Sequence, residues 1–308
     1  MNTTDKGHAL PNNRHAADDR HTSDFEQFLT ILDLKADNDV TYSGAHPTKN
    51  PQRTFGGQLM AQALIAGGRA IVNSCPPATL TAHFISGGNP NADIQYRVTL
   101  LRDERRFVNQ RVDATQGDAL LATALISYLN VGRSGLEHDP PRPEVSDPTT
   151  LASGGEDLPS PANGTSSLFS TFFVSPFEWR YANNQRSMTV DTDQRQATTR
   201  GWFRTLGTLP EDPLLHTAAM VYCSDMNILD PIFTTHGLNF GHDRIFAVTV
   251  NHSIWFHRQA ACDKWILYST QSPVATASRG LGTGQFTTLD GRLLATVVQE
   301  GIVTHFPR

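Results

Sequence analysis

Asp225, Thr249 and Gln299 are the polar residues most out of place in their surroundings. At 100° per residue, Asp225 in "YCSDMNIL" falls within the helical stripe of Ala218, Tyr222 and Leu229 and not on a polar face. A carboxylate there needs partners; the competing reading is that it caps a backbone group or meets a nearby arginine. Thr249 in "FAVTVNHS" and Gln299 in "LLATVVQEG" interrupt apolar runs of strand type, although either also fits a surface position. The three offer neither a strong nucleophile nor a histidine base. They can hold a water molecule: the carboxylate accepts one of its protons while hydroxyl and amide fix its other hydrogen bonds, aiming a lone pair at a carbonyl carbon. An activated acyl group such as a thioester is electrophilic enough for that arrangement, and an unactivated amide is a harder target.

The stretch "VNHSIWFHR" places His252 and His257 five residues apart on an expected strand. Period-two alternation sends them to opposite faces, so they cannot share a metal ion. The same alternation groups Thr249, Asn251 and Ser253 on one face and Val248, Val250, His252 and Ile254 on the other. His252 is accordingly expected to be a packing histidine. No GxSxG elbow, GxxxxGK[ST] loop or HExxH helix is present. "GLGTGQ" at 280–285 precedes a strand and reads as a turn between strands, not as a dinucleotide fingerprint. Cys75, Cys223 and Cys262 lack CxxC spacing and read as free thiols. Neither a metal nor a cofactor is implied.

The elements that must position these residues repeat. A chain of 308 residues with formal charge −5 and no basic cluster suggests about two domains and no nucleic-acid partner. Residues 1–23 read as a polar, disordered tail, and residues 132–167, rich in Pro, Gly, Ser and acidic residues, as a linker. Each half then shows a helix followed by four strand-like runs. In the first, "FGGQLMAQALIAGGRAIV" precedes "LTAHFI", "DIQYRVTLL", "RFVNQRVDA" and "ALLATALISYL". In the second, a strand "ATTRGWFRT" and a helix opening at "EDPLLHTAAMVYCSDMNIL" precede "RIFAVTVNHSIWFH", "WILYSTQS", "GTGQFTTL" and "RLLATVVQEGIVTHF". Asp290-Gly291 signals a two-residue hairpin. Strands in sequence without intervening helices predict an α+β fold: an antiparallel sheet with a long helix against one face, duplicated. No segment approaches the length of a spanning helix, and the N-terminal residues do not read as a signal peptide, so a cytoplasmic protein without membrane partners is expected.

The sequence resembles the acyl-CoA thioesterase II family in "RTFGGQLMAQAL", "LLRDERRFVNQRVDATQGD", "YCSDMNIL", "VNHSIWFHR", "WILYSTQS" and "LDGRLLATVVQEG". The resemblance implies two tandem hotdog folds, residues 24–131 and 168–308, each a long helix wrapped by an antiparallel sheet, with the catalytic residues in the second. It implies an acyl-CoA substrate and assigns the water-positioning roles to Asp225, Thr249 and Gln299. Trp255 and Phe256 become packing residues or acyl-tunnel lining, and a homodimer or homotetramer is suggested. Gly56 and Gly57 permit close backbone approach to substrate ahead of the first helix, the alternative being a tight strand-to-helix turn. Arg279 with Gly280 matches a family pair suited to a CoA phosphate, the alternative being a solvated surface arginine. Two departures stand out: Asn251 occupies a position usually held by Asp, and the Ser86-Gly87-Gly88 turn lacks an arginine. Both leave open a non-catalytic acyl-CoA-binding module; a hydratase would need a catalytic histidine with an acidic partner.

Overall fold

The computed structural model describes residues 13–45, 54–71, 75–89, 92–130, 135–152, 175–183, 197–238 and 245–306, with side chains from residue 23 onward. Two helices make up the interior. In α2 (Gly56–Arg69), following α1 (Asn13–Leu32), residues 57 to 67 are buried on every side, as small residues and aliphatics all round a helix require. The second, α3 (Pro213–Ser224), starts on the Asp212 carboxylate, which accepts from Leu214 N–H, with Pro213 in the first turn. It packs directly on α2. α3 stops earlier than the stripe suggests, because Asn227 adopts the left-handed conformation (φ 64°), and a short α4 (Asp230–Thr235) follows.

Around these helices runs one antiparallel sheet. Its strands are β1 (Lys35–Asn38), β2 (Thr41–Gly44), β3 (Pro77–Phe84), β4 (Ile94–Glu104), β5 (Phe107–Gln116), β6 (Ala119–Leu129), β7 (Phe177–Asn183), β8 (Thr198–Thr205), β9 (Ile245–Phe256), β10 (Ile266–Thr276), β11 (Arg279–Thr288) and β12 (Leu293–His305). The order β1-β2-β4-β5-β6-β3-β9-β12-β11-β10-β8-β7 reads as one five-strand pattern and its mirror, meeting at the β3–β9 pair, with β1 and β7 added at the edges. The repeated helix-plus-four-strands order is therefore an internal duplication closed through a shared sheet.

Particular expectations change in detail. Residues 1–12 of the expected tail lie outside the described residues, but from Asn13 the chain is helical. Phe28, Ile31 and Leu32 at helical spacing anchor α1 to the core. In the expected linker, residues 135–152 run along the second half. Asp139 accepts from Arg258 and from Leu293 N–H, and Trp202 Nε1 donates to Ser146 O. "GLGTGQ" is strand β11, not a turn, and its glycines face packed groups: a β-carbon on Gly280 would lie 2.3 Å from Ile232 Cδ1. The hairpin at Asp290-Gly291 has three loop residues, Leu289 to Gly291. Only Gly291 takes positive φ (95°), whereas a two-residue loop of the I′ type needs two such residues.

The turn that does meet that requirement has no glycine. Thr276 pairs with Arg279, and Ala277 (φ 48°) and Ser278 (φ 57°) both occupy left-handed space. Such conformations cost an alanine about 1 kcal/mol or more relative to the Asn-Gly pair this turn favours. The double substitution Ala277→Asn, Ser278→Gly is expected to stabilise the chain by about 1 kcal/mol in urea unfolding; an unchanged or lower midpoint would count against this assignment of the turn.

Candidate active site

The structure brings together the three residues that the sequence singled out. Asp225 caps the C-terminal end of α3, half-buried. Thr249 Oγ1 donates to Asp225 Oδ1 at 3.1 Å, and Gln299 Nε2 donates to Thr249 Oγ1 at 2.9 Å. The other carboxylate oxygen, Oδ2, accepts from the Gly57 N–H at 2.9 Å. Gly57 belongs to the first turn of α2, so the site is assembled from both halves of the chain.

Gly56 and Gly57 earn their place by proximity. A β-carbon on Gly57 would stand 2.5 Å from the Tyr222 carbonyl oxygen, backbone against backbone, and one on Gly56 would stand 2.7 Å from Asp225 Oδ2 and 3.0 Å from Phe84 Cζ. The pair lets the start of α2 close onto the end of α3, which places a backbone N–H and a helix N-terminus against the carboxylate. Tyr222 is held there by edge contacts with Phe28 and Phe55, their centroids 5.0 Å away.

Thr249 reaches the site by a route that alternation does not foresee. In the β9–β12 ladder His252 faces Gln299 and Asn251 faces Glu300, but Gly301 faces Thr249, so Val250 is an extra residue in a β-bulge. The bulge resets the alternation and turns Thr249 to the same side as His252 and Gln299. Asn251 consequently does not share a face with Thr249. Its Nδ2 donates to Glu300 Oε2 at 3.2 Å on the outer side of the sheet, and Arg279 Nη1 meets Glu300 Oε1 at 3.2 Å. An aspartate at 251 would set two carboxylates against each other there, and neither residue touches the Asp225 cluster directly.

His252 is completely buried, as expected, but it does more than pack. Its Nδ1 contacts Gln299 Oε1 and its Nε2 lies 2.9 Å from Ser224 Oγ. Burial lowers its pKa from the ordinary value of 6.5, outweighing the opposing pull of Asp225 and the hydrogen bond to Gln299. The ring is therefore neutral near pH 7. Sequence reasoning missed Ser224, Phe84 and these contacts of His252, because no periodicity reveals which side chains of distant elements meet. Trp255 points outward with 40% exposure, and Phe256 packs against the core. His257 bonds Thr296 on the exposed side. The Ser86-Gly87-Gly88 turn is secured by Ser86 Oγ donating to Leu120 O and by Asn89 N–H donating to Gln116 Oε1. Among the described residues no cluster of His, Cys, Asp and Glu forms a metal site, and no helix is long and apolar enough to cross a membrane.

The first half carries different residues at the corresponding places. Phe256 pairs with Ala295 as Phe84 pairs with Ala122; four residues further along each pair, His252 and Gln299 correspond to Leu80 and Ile126. Near the end of α2, Gly68 lies under Leu214 from the start of α3, the reciprocal of Asp225 against Gly57. Polar groups occupy one member of each such set and apolar or absent side chains the other.

Comparison with known proteins agrees with this architecture. Residues 45–129 match the acyl-CoA thioesterase N-terminal domain, and residues 171–302 match the acyl-CoA thioesterase family. "Acyl-CoA thioesterase 2" of Haemophilus influenzae is 30% identical over 89% of this chain and 96% of its own length. The chain belongs to the acyl-CoA thioesterase II family. The crystal structure of an acyl-CoA thioesterase II from Mycobacterium marinum superposes with a TM-score of 0.73 at 25% identity, covering 91% of this chain and 98% of that one. A hotdog-fold protein of unknown function from Alicyclobacillus acidocaldarius gives 0.75 at 17% identity, over 92% and 99% respectively, which supports the hotdog fold.

Two outcomes follow from the geometry. Gly56→Ala pushes on the flexible ends of Asp225 and Phe84, so it should leave the circular dichroism spectrum intact and lower hydrolytic kcat/KM by about tenfold or more, the equivalent of about 1.4 kcal/mol. Because the folded state lowers the His252 pKa, the unfolded chain binds more protons as pH falls below 6.5, and stability declines through that window. Urea titrations between pH 7.5 and about pH 5 should show this slope flattened in His252→Leu; an unaltered slope would assign it elsewhere.

Proposed function

We propose that this chain hydrolyses fatty acyl-CoA to free fatty acid and CoA by direct attack of an oriented water. The observation that carries the reading is the hydrogen-bonded line from Gln299 through Thr249 to Asp225, secured at its far end by the Gly57 N–H. Asp225 accepts a proton from the water as its oxygen bonds to the thioester carbonyl carbon. Thr249 and the second N–H of Gln299 fix the geometry of attack, so the reaction proceeds from a single aligned arrangement. The tetrahedral intermediate then collapses, the C–S bond breaks, and the CoA sulfur leaves with its electron pair and recovers the proton from Asp225. No side chain becomes acylated.

The relatives' names and the matched family support a thioester substrate, and the aligned cluster supports hydrolysis over mere binding. Asn251, the departure that had favoured a non-catalytic module, sits on the outer side of the sheet. The first half lacks the polar set, so one site per chain is proposed. The arrangement is read as a double hotdog, with units at 24–131 and 168–308 joined by residues 132–167. Gly56 and Gly57 serve the site through close backbone approach. Arg279 remains the candidate for a CoA phosphate, since its guanidinium is 60% exposed beside Glu300. Gly280, under Ile232, serves packing. A cytoplasmic homo-oligomer belongs to the same proposal, supported by exposed Leu125 and Trp255 on the outer face of the sheet.

A panel of acyl-CoAs of graded chain length, with CoA release followed by a thiol-reactive dye, tests the activity. Asp225→Ala should abolish measurable turnover, and Gln299→Ala should lower kcat by more than about tenfold, as loss of one positioning hydrogen bond implies. Turnover near the wild-type level in Asp225→Ala would refute the assigned roles.

A further inference from the structure

A terminal amide has two nearly isosteric ends, so the role given to Gln299 depends on which end faces Thr249. Thr249 has a single hydroxyl proton. While Asp225 is ionised that proton must lie between Oγ1 and Oδ1, because otherwise two acceptors would meet at 3.1 Å with nothing between them. Gln299 must then give Nε2–H to Thr249 and turn Oε1 the other way. Gln299 is 1% exposed, so that oxygen cannot find bulk water. What it meets is Nδ1 of His252.

We infer that His252, held by Ser224, is a positioning residue for hydrolysis: its Nδ1–H fixes the amide orientation of Gln299 and thereby the direction of the whole hydrogen-bonded line. This rests on the hydrolytic reading of the site given above. The neutral ring carries one proton, on Nδ1, and Nε2 accepts from the Ser224 hydroxyl, which lies within reach of both that nitrogen and Val221 O. Protons then run one way, from Ser224 to His252, to Gln299, to Thr249 and to the Asp225 carboxylate. Burial keeps the ring neutral, which preserves the acceptor that Ser224 faces. The duplication supplies a control: Leu80 corresponds to His252 and pairs with Ile126, so the fold accommodates an aliphatic residue in this position when its partner needs no donor.

The test is a double-mutant cycle on acyl-CoA hydrolysis. His252→Leu should lower kcat by about tenfold with little change in KM, and His252→Asn, whose side-chain amide can donate from nearly the same point, should recover most of the loss. In a Gln299→Ala background His252→Leu should cost less than about twofold further, because a residue acting through Gln299 has nothing left to orient. Equal losses in both backgrounds, or no loss in either, would overturn the inference. Long-range proton–nitrogen NMR of the folded wild type should show the Nδ1–H tautomer; the Nε2–H tautomer would overturn it as well. Full turnover in Gln299→Ala alone would overturn the inference too, since the orientation of its amide would lose its purpose, whereas absence of CoA release by the wild type would instead sink the hydrolytic reading.

Discussion

The structure turns on one close approach: the first turn of α2 lies so near the end of α3 that a backbone N–H from one half reaches the carboxylate of the other. That contact requires residues without side chains at 56 and 57, and a helix end free to present Asp225. It also requires the two halves to share one sheet, because separate domains joined only by a linker would not hold a 2.9 Å hydrogen bond in register. The β3–β9 pair and the Phe28, Phe55 and Tyr222 contacts act to keep the halves in that relation.

Duplication explains the asymmetry of the chemistry. In a repeated pair of helices each end of the interior lies beside one helix start and the other helix end, and two equivalent sites are geometrically available. In one, Asp225, Thr249, Gln299 and His252 form a polar line. In the other, Gly68, Leu80 and Ile126 occupy the corresponding places, with Leu214 packed on Gly68. The other end is not wholly apolar, since Gln110 and Tyr128 are buried beside Gly67, but the carboxylate, the hydroxyl and the imidazole of the polar line have no counterpart among Gly68, Leu80 and Ile126.

Much of this was legible in the sequence because it depends on local pattern. The order of a helix and four strands, twice, followed from periodicity and turn residues; the polar interruptions at 225, 249 and 299 raised candidates, which the family resemblance joined into one proposed site. What could not be read depends on events between strands. The bulge at Val250 reverses the side on which Thr249 projects, and nothing in "AVTVNHS" announces an extra residue. The left-handed Ala277-Ser278 turn is enforced by the paired strands against the local preference of both residues. His252 looked like packing because its neighbours in sequence are aliphatic, while its working neighbour, Gln299, is adjacent only across the ladder. The end of α3, by contrast, had a usable signal in Asn227 and Pro231, which the apolar stripe obscured.

The central claim is that Asp225 activates water and never bonds to the acyl group. A single turnover with excess enzyme in water enriched in oxygen-18, followed by mass spectrometry of both product and digested protein, addresses it directly. The account predicts that the label enters the fatty acid and that the peptide containing Asp225 stays unlabelled. Unlabelled fatty acid together with label in that peptide would reveal an acyl anhydride on Asp225 and contradict it.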